Sequence, residues 1–378
     1  MNGPVYYENI KVLMLNYEFP PLGGGAGNAN YYLLKEFSNQ AGITVDLVTS
    51  STGSGRTEQF ADNITVHYLD IGKRNENLHY QSGKDILSYA YNAFRYARRL
   101  QRDNYYNLCH AYFGIPCGFI AMLLGLPYIV SLRGSDVPFY NSRFYWLDGL
   151  LFKRLSKFIW KRAAGVVANS DGLKQMAMKT APELDVKVIC NGVDTKQFYP
   201  FQNKLNGDKL KLISTGRLIE RKGYRYLIEA LKGNNRVELI LVGEGNLTEE
   251  LKNLAAENKV AVNFTGRIDH EHLPHYLNGA DLFVLPSLNE GMANSLLEAM
   301  ACGLPVIVTD TGGAKELVQG NGFVVARGSS EGLRNAIEKY INNDKLIVEQ
   351  GEKSREIATK NSWSEIARHY RTLYNDCS

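Results

Sequence analysis

Short apolar runs alternate with helix-length amphipathic segments along this chain, and the alternation starts twice. The first series places strands at Lys11–Asn16, Thr44–Ser50, Tyr106–Ala111, Tyr128–Leu132 and Gly165–Asn169. Helices are expected from the Gly23–Gly27 loop to Phe37 and over Cys117–Leu124. The second series begins at Lys211–Thr215 and continues through Glu238–Val242, Val260–Phe264, Leu282–Leu285 and Pro305–Val308. Such alternation specifies parallel sheets with helices on both faces. At 378 residues the chain also exceeds the size at which a single core keeps growing. The expected fold is α/β, with two Rossmann-like domains over 1–197 and 198–361 joined near Pro200–Gly207. A helix in 362–378 is expected to pack its aromatics back across the boundary. Ligands bind at the carboxyl ends of such strands, so two facing sheets would hold a ligand in a deep cleft.

Composition excludes several classes. Hydrophobic residues make up 44% and charged residues 22%, ordinary for a folded globular protein. The net charge of +4 is too small to argue for a nucleic-acid partner. It divides as +5 over residues 1–200 and −1 over 201–378, so the positive excess belongs to the first half. Five scattered cysteines (Cys109, Cys117, Cys190, Cys302, Cys377) form no Cys-x-x-Cys pair and read as buried thiols of a reducing compartment. The N-terminus, with Glu8 and a short apolar stretch, does not read as a signal peptide, and a cytoplasmic location is expected. Leu108 to Leu132 is apolar enough to suggest a membrane span, but its prolines, glycines and His110 divide it into strand, helix and strand.

Two segments carry recognisable chemistry. After the Leu282–Leu285 strand comes Pro286-Ser287-Leu288-Asn289-Glu290-Gly291-Met292-Ala293-Asn294-Ser295-Leu296-Leu297-Glu298, which opens a helix ending at Gly303. Glu290 lies in the turn and Glu298 about one helical turn inside, so both are expected to face one crevice. Gly291 allows close backbone approach, and Asn294 is the expected N-cap. Carboxylates flanking a helix N-terminus suit a ligand with sugar hydroxyls at both ends and phosphate between. Gly216-Arg217-Leu218-Ile219-Glu220-Arg221-Lys222-Gly223 follows the first strand of the second series, and Arg217 and Lys222 are placed to converge on a diphosphate. Taken alone, solvated glutamates explain the first segment equally well, and a solvated basic turn is the alternative for the second.

In combination these segments resemble glycosyltransferase family four, the retaining, nucleotide-sugar-dependent enzymes of the GT-B fold. Strand-Gly-Arg-Leu…Lys-Gly is followed by Leu241-Val242-Gly243-Glu244-Gly245, by Phe264-Thr265-Gly266, and by Glu-x7-Glu with Glu-Ala-Met-Ala-Cys-Gly-Leu-Pro-Val-Ile. Asn191-Gly192-Val193-Asp194 with Phe198 and Pro200 resembles the family's domain linker, and Pro20-Pro21-Leu22-Gly23-Gly24-Gly25 its N-terminal glycine loop. The resemblance implies that Glu290 contacts donor-sugar hydroxyls while backbone N–H groups of Gly291, Met292, Ala293, Asn294, Ser295 and Leu296 hold sugar and phosphate. It implies that Glu298 accepts from the ribose and that Arg217 and Lys222, beside Gly216 and Gly243, neutralise the departing diphosphate. Arg267 and Ile268 would contact the base. Gly24 and Gly25 would approach the donor phosphates, with a structural tight turn as the alternative. No Asp-x-Asp triplet is present to hold a divalent metal, so no metal and no cofactor are expected. Hinge closure on donor binding is expected.

One departure concerns Val130-Ser131-Leu132-Arg133-Gly134-Ser135-Asp136-Val137, which matches a family strand end that commonly carries His where Arg133 stands. Arginine cannot act as a general base at neutral pH. Arg133 is expected to bind sugar or an anionic group, and the leaving phosphate to take the acceptor proton. His110, Tyr112 and Asp136 are the acceptor-side candidates, with a buried structural role as the alternative for His110. Residues 141–162 mix aromatics with Arg143, Lys153, Arg154, Lys157, Lys161 and Arg162. Part is expected to be core, and the basic face either meets an anionic membrane surface or is simply solvated; Arg95, Arg98, Arg99 and Arg102 add charge in the same domain. The expected reaction is transfer of a hexosyl or N-acetylhexosaminyl group, from a UDP-sugar by preference, to a glycan or lipid-linked acceptor in envelope polysaccharide or glycoconjugate synthesis. A nucleotide-sugar epimerase and a non-catalytic nucleotide-sugar-binding protein are the alternatives. A NAD-dependent dehydrogenase is disfavoured, because Asn30 stands where the dinucleotide fingerprint needs Gly or Ala.

Overall fold

The computed structural model describes residues 9–74, 78, 81–140, 152–201 and 208–378. The chain divides into two compact units, Met1–Cys190 with Trp363–Ser378, and Asn191–Ser362. The division therefore falls between Cys190 and Asn191, where the strand–helix alternation places it at 197/198. Of the expected Pro200–Gly207 joint, residues 202–207 lie outside the described residues.

The first unit is built on β1 (Ile10–Leu15), β2 (Ile43–Ser51), β3 (Arg56–Ala61), β4 (Ile64–Asp70), β5 (Leu108–Tyr112), β6 (Tyr128–Leu132), β7 (Gly165–Ala168) and β8 (Val186–Val188). Their order in the sheet is β3-β4-β2-β1-β5-β6-β7-β8. The central strands are buried along their length, as parallel strands covered on both faces must be. One strand breaks the parallel expectation: β3 runs antiparallel to β4. Its Arg-Thr-Glu-Gln start is exposed, so the sheet ends on a polar strand poorly suited to further pairing. The C-terminal helix Trp363–Cys377 belongs to this unit. Trp363 stacks on Tyr32 at 5.6 Å, Tyr374 packs at 5.9 Å from Phe37, and Arg371 donates to the Gly42 carbonyl. The apolar stretch after Leu108 forms β5, a tight helical turn, the helix Phe119–Leu124 and β6. No helix among the described residues is long and apolar enough to cross a membrane.

The second unit contains β9 (Leu210–Thr215), β10 (Val237–Val242), β11 (Val262–Gly266), β12 (Leu282–Leu285), β13 (Val306–Thr309) and β14 (Gly322–Val325), all paired in parallel. The order β11-β10-β9-β12-β13-β14 winds outward in both directions from the β9/β12 boundary. That boundary is the topological switch point of a doubly wound sheet, where loops leaving the two strands diverge and open a crevice. Leu212, Leu282, Phe283 and Val284 are completely buried beneath it.

Candidate functional site

The β9 strand ends at Thr215, and Gly216 and Gly243 bring two strand-end loops into contact. A Cβ on Gly243 would lie 2.0 Å from the Gly216 carbonyl oxygen, and both residues hold positive φ, 137° at Gly243 and 145° at Gly216. Glycine is therefore obligatory at Gly243. Beyond Gly216 the chain exposes Arg217, buries Leu218 and makes a short helical turn over Glu220–Lys222. Gly223 ends that turn at φ 66°, with space for a Cβ closed by the Pro286 carbonyl oxygen at 2.2 Å. The Leu288 N–H donates to the Arg221 carbonyl at 2.8 Å. These contacts lock the loop after β9 against the loop after β12.

The lock sets Lys222 directly against Glu290. The Lys222 ammonium donates to Glu290 Oε1, and their side chains are only 13% and 10% exposed. Ser287 donates to the same oxygen at 3.0 Å, and Thr309 donates to the Ser287 carbonyl. From the short helix Gly312–Glu316 after β13, the Gly313 N–H donates to the Gly291 carbonyl at 2.8 Å. Buried Tyr224 lies nearby; burial raises its phenol and the Glu290 charge adds to the shift. A carboxylate and an ammonium thus stand at the switch point, braced from three strand ends.

The helix after this loop begins at Asn294, with Ala293 as its cap residue. Asn294 is not the N-cap: its side-chain oxygen instead accepts from Asn191 at 2.8 Å. The Leu296 N–H already donates to the Ala293 carbonyl at 3.1 Å, so the positive dipole ends presented beside Gly291 and Met292 are the N–H groups of Asn294 and Ser295. Ala293 and Leu296 are buried, so only their backbones can face a ligand, while Ser295 is half-buried. At the far end of the first turns, Glu298 Oε1 lies 2.9 Å from Nε2 of His270. Burial lowers the His270 ring, but the hydrogen bond and charge of Glu298, helped by Asp194, more than reverse this and raise it. Arg267 is exposed and Ile268 half-buried just before it. No group of three or more metal-ligating side chains converges among the described residues.

In the first unit the glycine loop follows β1. The Gly24 N–H donates to Glu18 at 3.2 Å. A Cβ on Gly24 or Gly25 would meet nothing within 4 Å, so no neighbour in the fold requires glycine there. After β6, the half-buried Asp136 accepts from the Arg133 and Gly134 N–H groups at 2.9 and 3.1 Å, and from Gly114 at 2.7 Å. Burial raises its carboxyl despite these donors. The Arg133 guanidinium lies 4.5 Å over the Tyr112 ring. His110 is fully buried, its ring nitrogens 2.7 Å from Tyr374 and from Ser131. Burial, with the Arg133 charge, pushes His110 well below the ordinary imidazole range.

Two family models match consecutive parts of the chain: Glycosyltransferase Family 4 over residues 23–197 and Glycosyl transferases group 1 over 195–360. The chain belongs to the group 1 glycosyltransferases of family four. An uncharacterized glycosyltransferase of Methanocaldococcus jannaschii is 27% identical over 299 residues, covering 77% of this chain and 82% of the relative. The UDP-Gal:alpha-D-GlcNAc-diphosphoundecaprenol alpha-1,3-galactosyltransferase of Escherichia coli is 25% identical over 361 residues, 89% of each chain. Among solved structures, sucrose-phosphate synthase from Thermosynechococcus elongatus superposes with a TM-score of 0.83 at 22% identity, covering 97% of this chain and 98% of that one. The two Rossmann-like units are those of the GT-B fold.

In this glycosyltransferase the structure brings Glu290 and Lys222 into contact, with Gly216 against the Lys222 side chain and Gly243 against Gly216, while Asn294 bonds to Asn191. His110 and Tyr112 are both completely buried in the first unit, the placement that the structural alternative for His110 describes. Asp136 is spent on binding the loops after β5 and β6 together. Of residues 141–162, those through 151 lie outside the described residues. In the helix Lys153–Trp160 and its end, Trp160 is buried, while Lys157 and Lys161 pair with Glu183 at 3.0 and 2.7 Å. Sequence reasoning missed Ser287, Gly223 and His270. Gly223 was visible as a Gly after a basic turn, but its contact with Pro286 is long-range, as is that of His270 with Glu298.

Proposed function

We propose that this glycosyltransferase transfers a hexosyl or N-acetylhexosaminyl group from a nucleotide diphosphate sugar, with retention of configuration, to a glycan or lipid-linked acceptor in polysaccharide or glycoconjugate synthesis. The observation that carries the reading is the Lys222–Glu290 pair at the switch point of the second unit's sheet. A charged diphosphate entering there competes for Lys222, and Glu290 is released to accept sugar hydroxyls. Arg217 adds a second cation for the leaving group, and the N–H groups from Gly291 to Ser295 supply neutral donors, that of Leu296 being spent on the Ala293 carbonyl. Glu298 takes the ribose, and Arg267 with Ile268 borders the base. Glu290 is held by an ammonium and a hydroxyl, so it serves as an acceptor for hydroxyls and not as a general base; the departing phosphate oxygen takes the acceptor proton. A metal is not required for this charge balance. Gly24 and Gly25 are assigned close backbone approach to a ligand, since no neighbour in the fold explains their small size. Arg133 is assigned an anionic or hydroxyl group.

A UDP-sugar is the favoured donor, in keeping with the UDP-Gal named for the Escherichia coli relative. That relative's diphosphoundecaprenol acceptor supports a lipid-linked acceptor here. The basic stretch 141–162 is assigned to an anionic membrane surface, supported by exposed Phe158 stacked under Arg162. Flotation with anionic vesicles at low salt tests this; a folded protein that stays at the bottom contradicts it. Donor choice is tested by thermal shift against UDP-, GDP- and ADP-sugars, because a bound donor stabilises the folded state. Stabilisation by a UDP-sugar supports the assignment. Stabilisation by none of them contradicts a nucleotide-sugar site.

A further inference from the structure

We propose that His270 is a positioning residue of the donor site, fixing the Glu298 carboxylate so that it meets the two hydroxyls of the nucleotide ribose. The inference rests on reading Glu298 as the ribose acceptor. The geometry is one-sided: Nε2 of His270 donates to Oε1 of Glu298 at 2.9 Å, and among the described residues Oε2 has no such partner. A carboxylate oxygen left open can accept from both members of a vicinal diol, while the held oxygen sets the plane of the group. The Glu298 side chain is only 14% exposed and that of His270 is 43% exposed, so the carboxylate is largely shielded while the imidazole that holds it reaches the surface.

His270 is itself held from behind. Gln197 donates to the His270 carbonyl at 3.1 Å, and the buried Phe198 ring meets the imidazole edge-on with centroids 5.1 Å apart. Arg355 fastens the segment carrying Gln197 and Phe198 by donating to the carbonyls of Thr195 and Phe198 at 3.2 and 2.8 Å. The same guanidinium donates at 2.8 Å to the carbonyl of Ala301, at the end of the helix bearing Glu298. The imidazole therefore has a packed ring, a fixed carbonyl, Nδ1 at 3.5 Å from the Gln197 amide nitrogen, and Nε2 turned to Glu298. A long glutamate with free rotamers would lose entropy on gripping a diol; a glutamate already held does not.

The test is calorimetric binding of UDP and of 2′-deoxy-UDP, with the GDP and ADP pairs used in their place if UDP does not bind. His270→Ala is expected to weaken UDP binding about five- to tenfold, the value of one well-placed hydrogen bond, and to shrink the preference for UDP over its deoxy form. His270→Gln keeps an N–H at that reach and restores both. Adding His270→Ala to Glu298→Ala is expected to change nothing further. If Glu298→Ala weakens UDP binding and His270→Ala leaves affinity and deoxy preference unmoved, the positioning role is overturned. If Glu298→Ala itself has no effect, or no nucleotide binds, the ribose reading beneath it falls instead.

Discussion

Lys222 and Glu290 come from opposite sides of the β9/β12 boundary and are joined by an ion pair that neither strand makes alone. Each belongs to a loop whose path is fixed by the other: Gly223 fits under the Pro286 carbonyl, and Leu288 bonds back to Arg221. The pair thus stores, in the folded chain, the charges that a sugar diphosphate would divide between its two ends.

Removing either partner should separate catalysis from folding. Lys222→Ala leaves a largely buried carboxylate uncompensated and should cost about 1–3 kcal/mol of stability, with transfer reduced on the order of 100-fold. Glu290→Gln should reduce transfer on the same order while keeping the Ser287 contact. A double-mutant cycle in urea denaturation measures the coupling; additive losses would show that the pair is not an energetic unit.

Glycines in the two units should behave oppositely. Gly223→Ala forces a Cβ toward the Pro286 carbonyl from a left-handed backbone, and should destabilise by roughly 3 kcal/mol or more. Gly25→Ala places its methyl in open space at a helix start, and should leave stability within about 0.5 kcal/mol while impairing transfer. A Gly25→Ala protein of full activity would remove the ligand-approach role from that loop.

His110 should prove structural. His110→Ala strands Ser131 and Tyr374 in the core and should cost about 2–3 kcal/mol. Nucleotide affinity, read by calorimetry on the folded fraction, should not change. A selective loss of activity at unchanged stability would restore the acceptor-side role.

Two groups give opposite pH signatures. His270 is raised in the folded state, so its contribution is fully present below its unfolded value of about 6.5 and is lost as pH rises through the folded one. The difference in Tm between wild type and His270→Gln should therefore shrink from pH 6 toward alkaline pH. Asp46 is lowered: burial opposes this, but hydrogen bonds from His67 and Tyr106 and the Lys11 charge overcome it. Its contribution is present above about pH 3.9 and disappears as pH falls through the folded value, so Asp46→Asn should cost stability at neutral pH and little in acid. Differences constant with pH would contradict both assignments.

Much of this was legible in the chain itself. Buried parallel strands such as β5, β6 and β12 read as apolar runs because both faces are covered. The polar edge strand β3 and the three-residue β8 carry no such signal, and β4 shows only an alternation that its tertiary partners complete. Glu290 and Lys222 were visible as residue types in the loops after strands, and Glu298 as a carboxylate one turn inside the following helix. Asn294 drew the cap assignment from its chemistry, but the helix starts one residue earlier in register and its amide goes to Asn191. The His270–Glu298 bond joins residues 28 apart in the chain, a separation that no local pattern encodes.

The central claim is that the Lys222–Glu290 site turns over a nucleotide diphosphate sugar. Mass spectrometry of reactions containing UDP-, GDP- or ADP-sugars and a panel of glycan and lipid-diphosphate acceptors tests it most directly. The account predicts a sugar-extended acceptor with the wild-type protein and its loss with folded Glu290→Ala and Lys222→Ala. Undiminished product from both variants would contradict it.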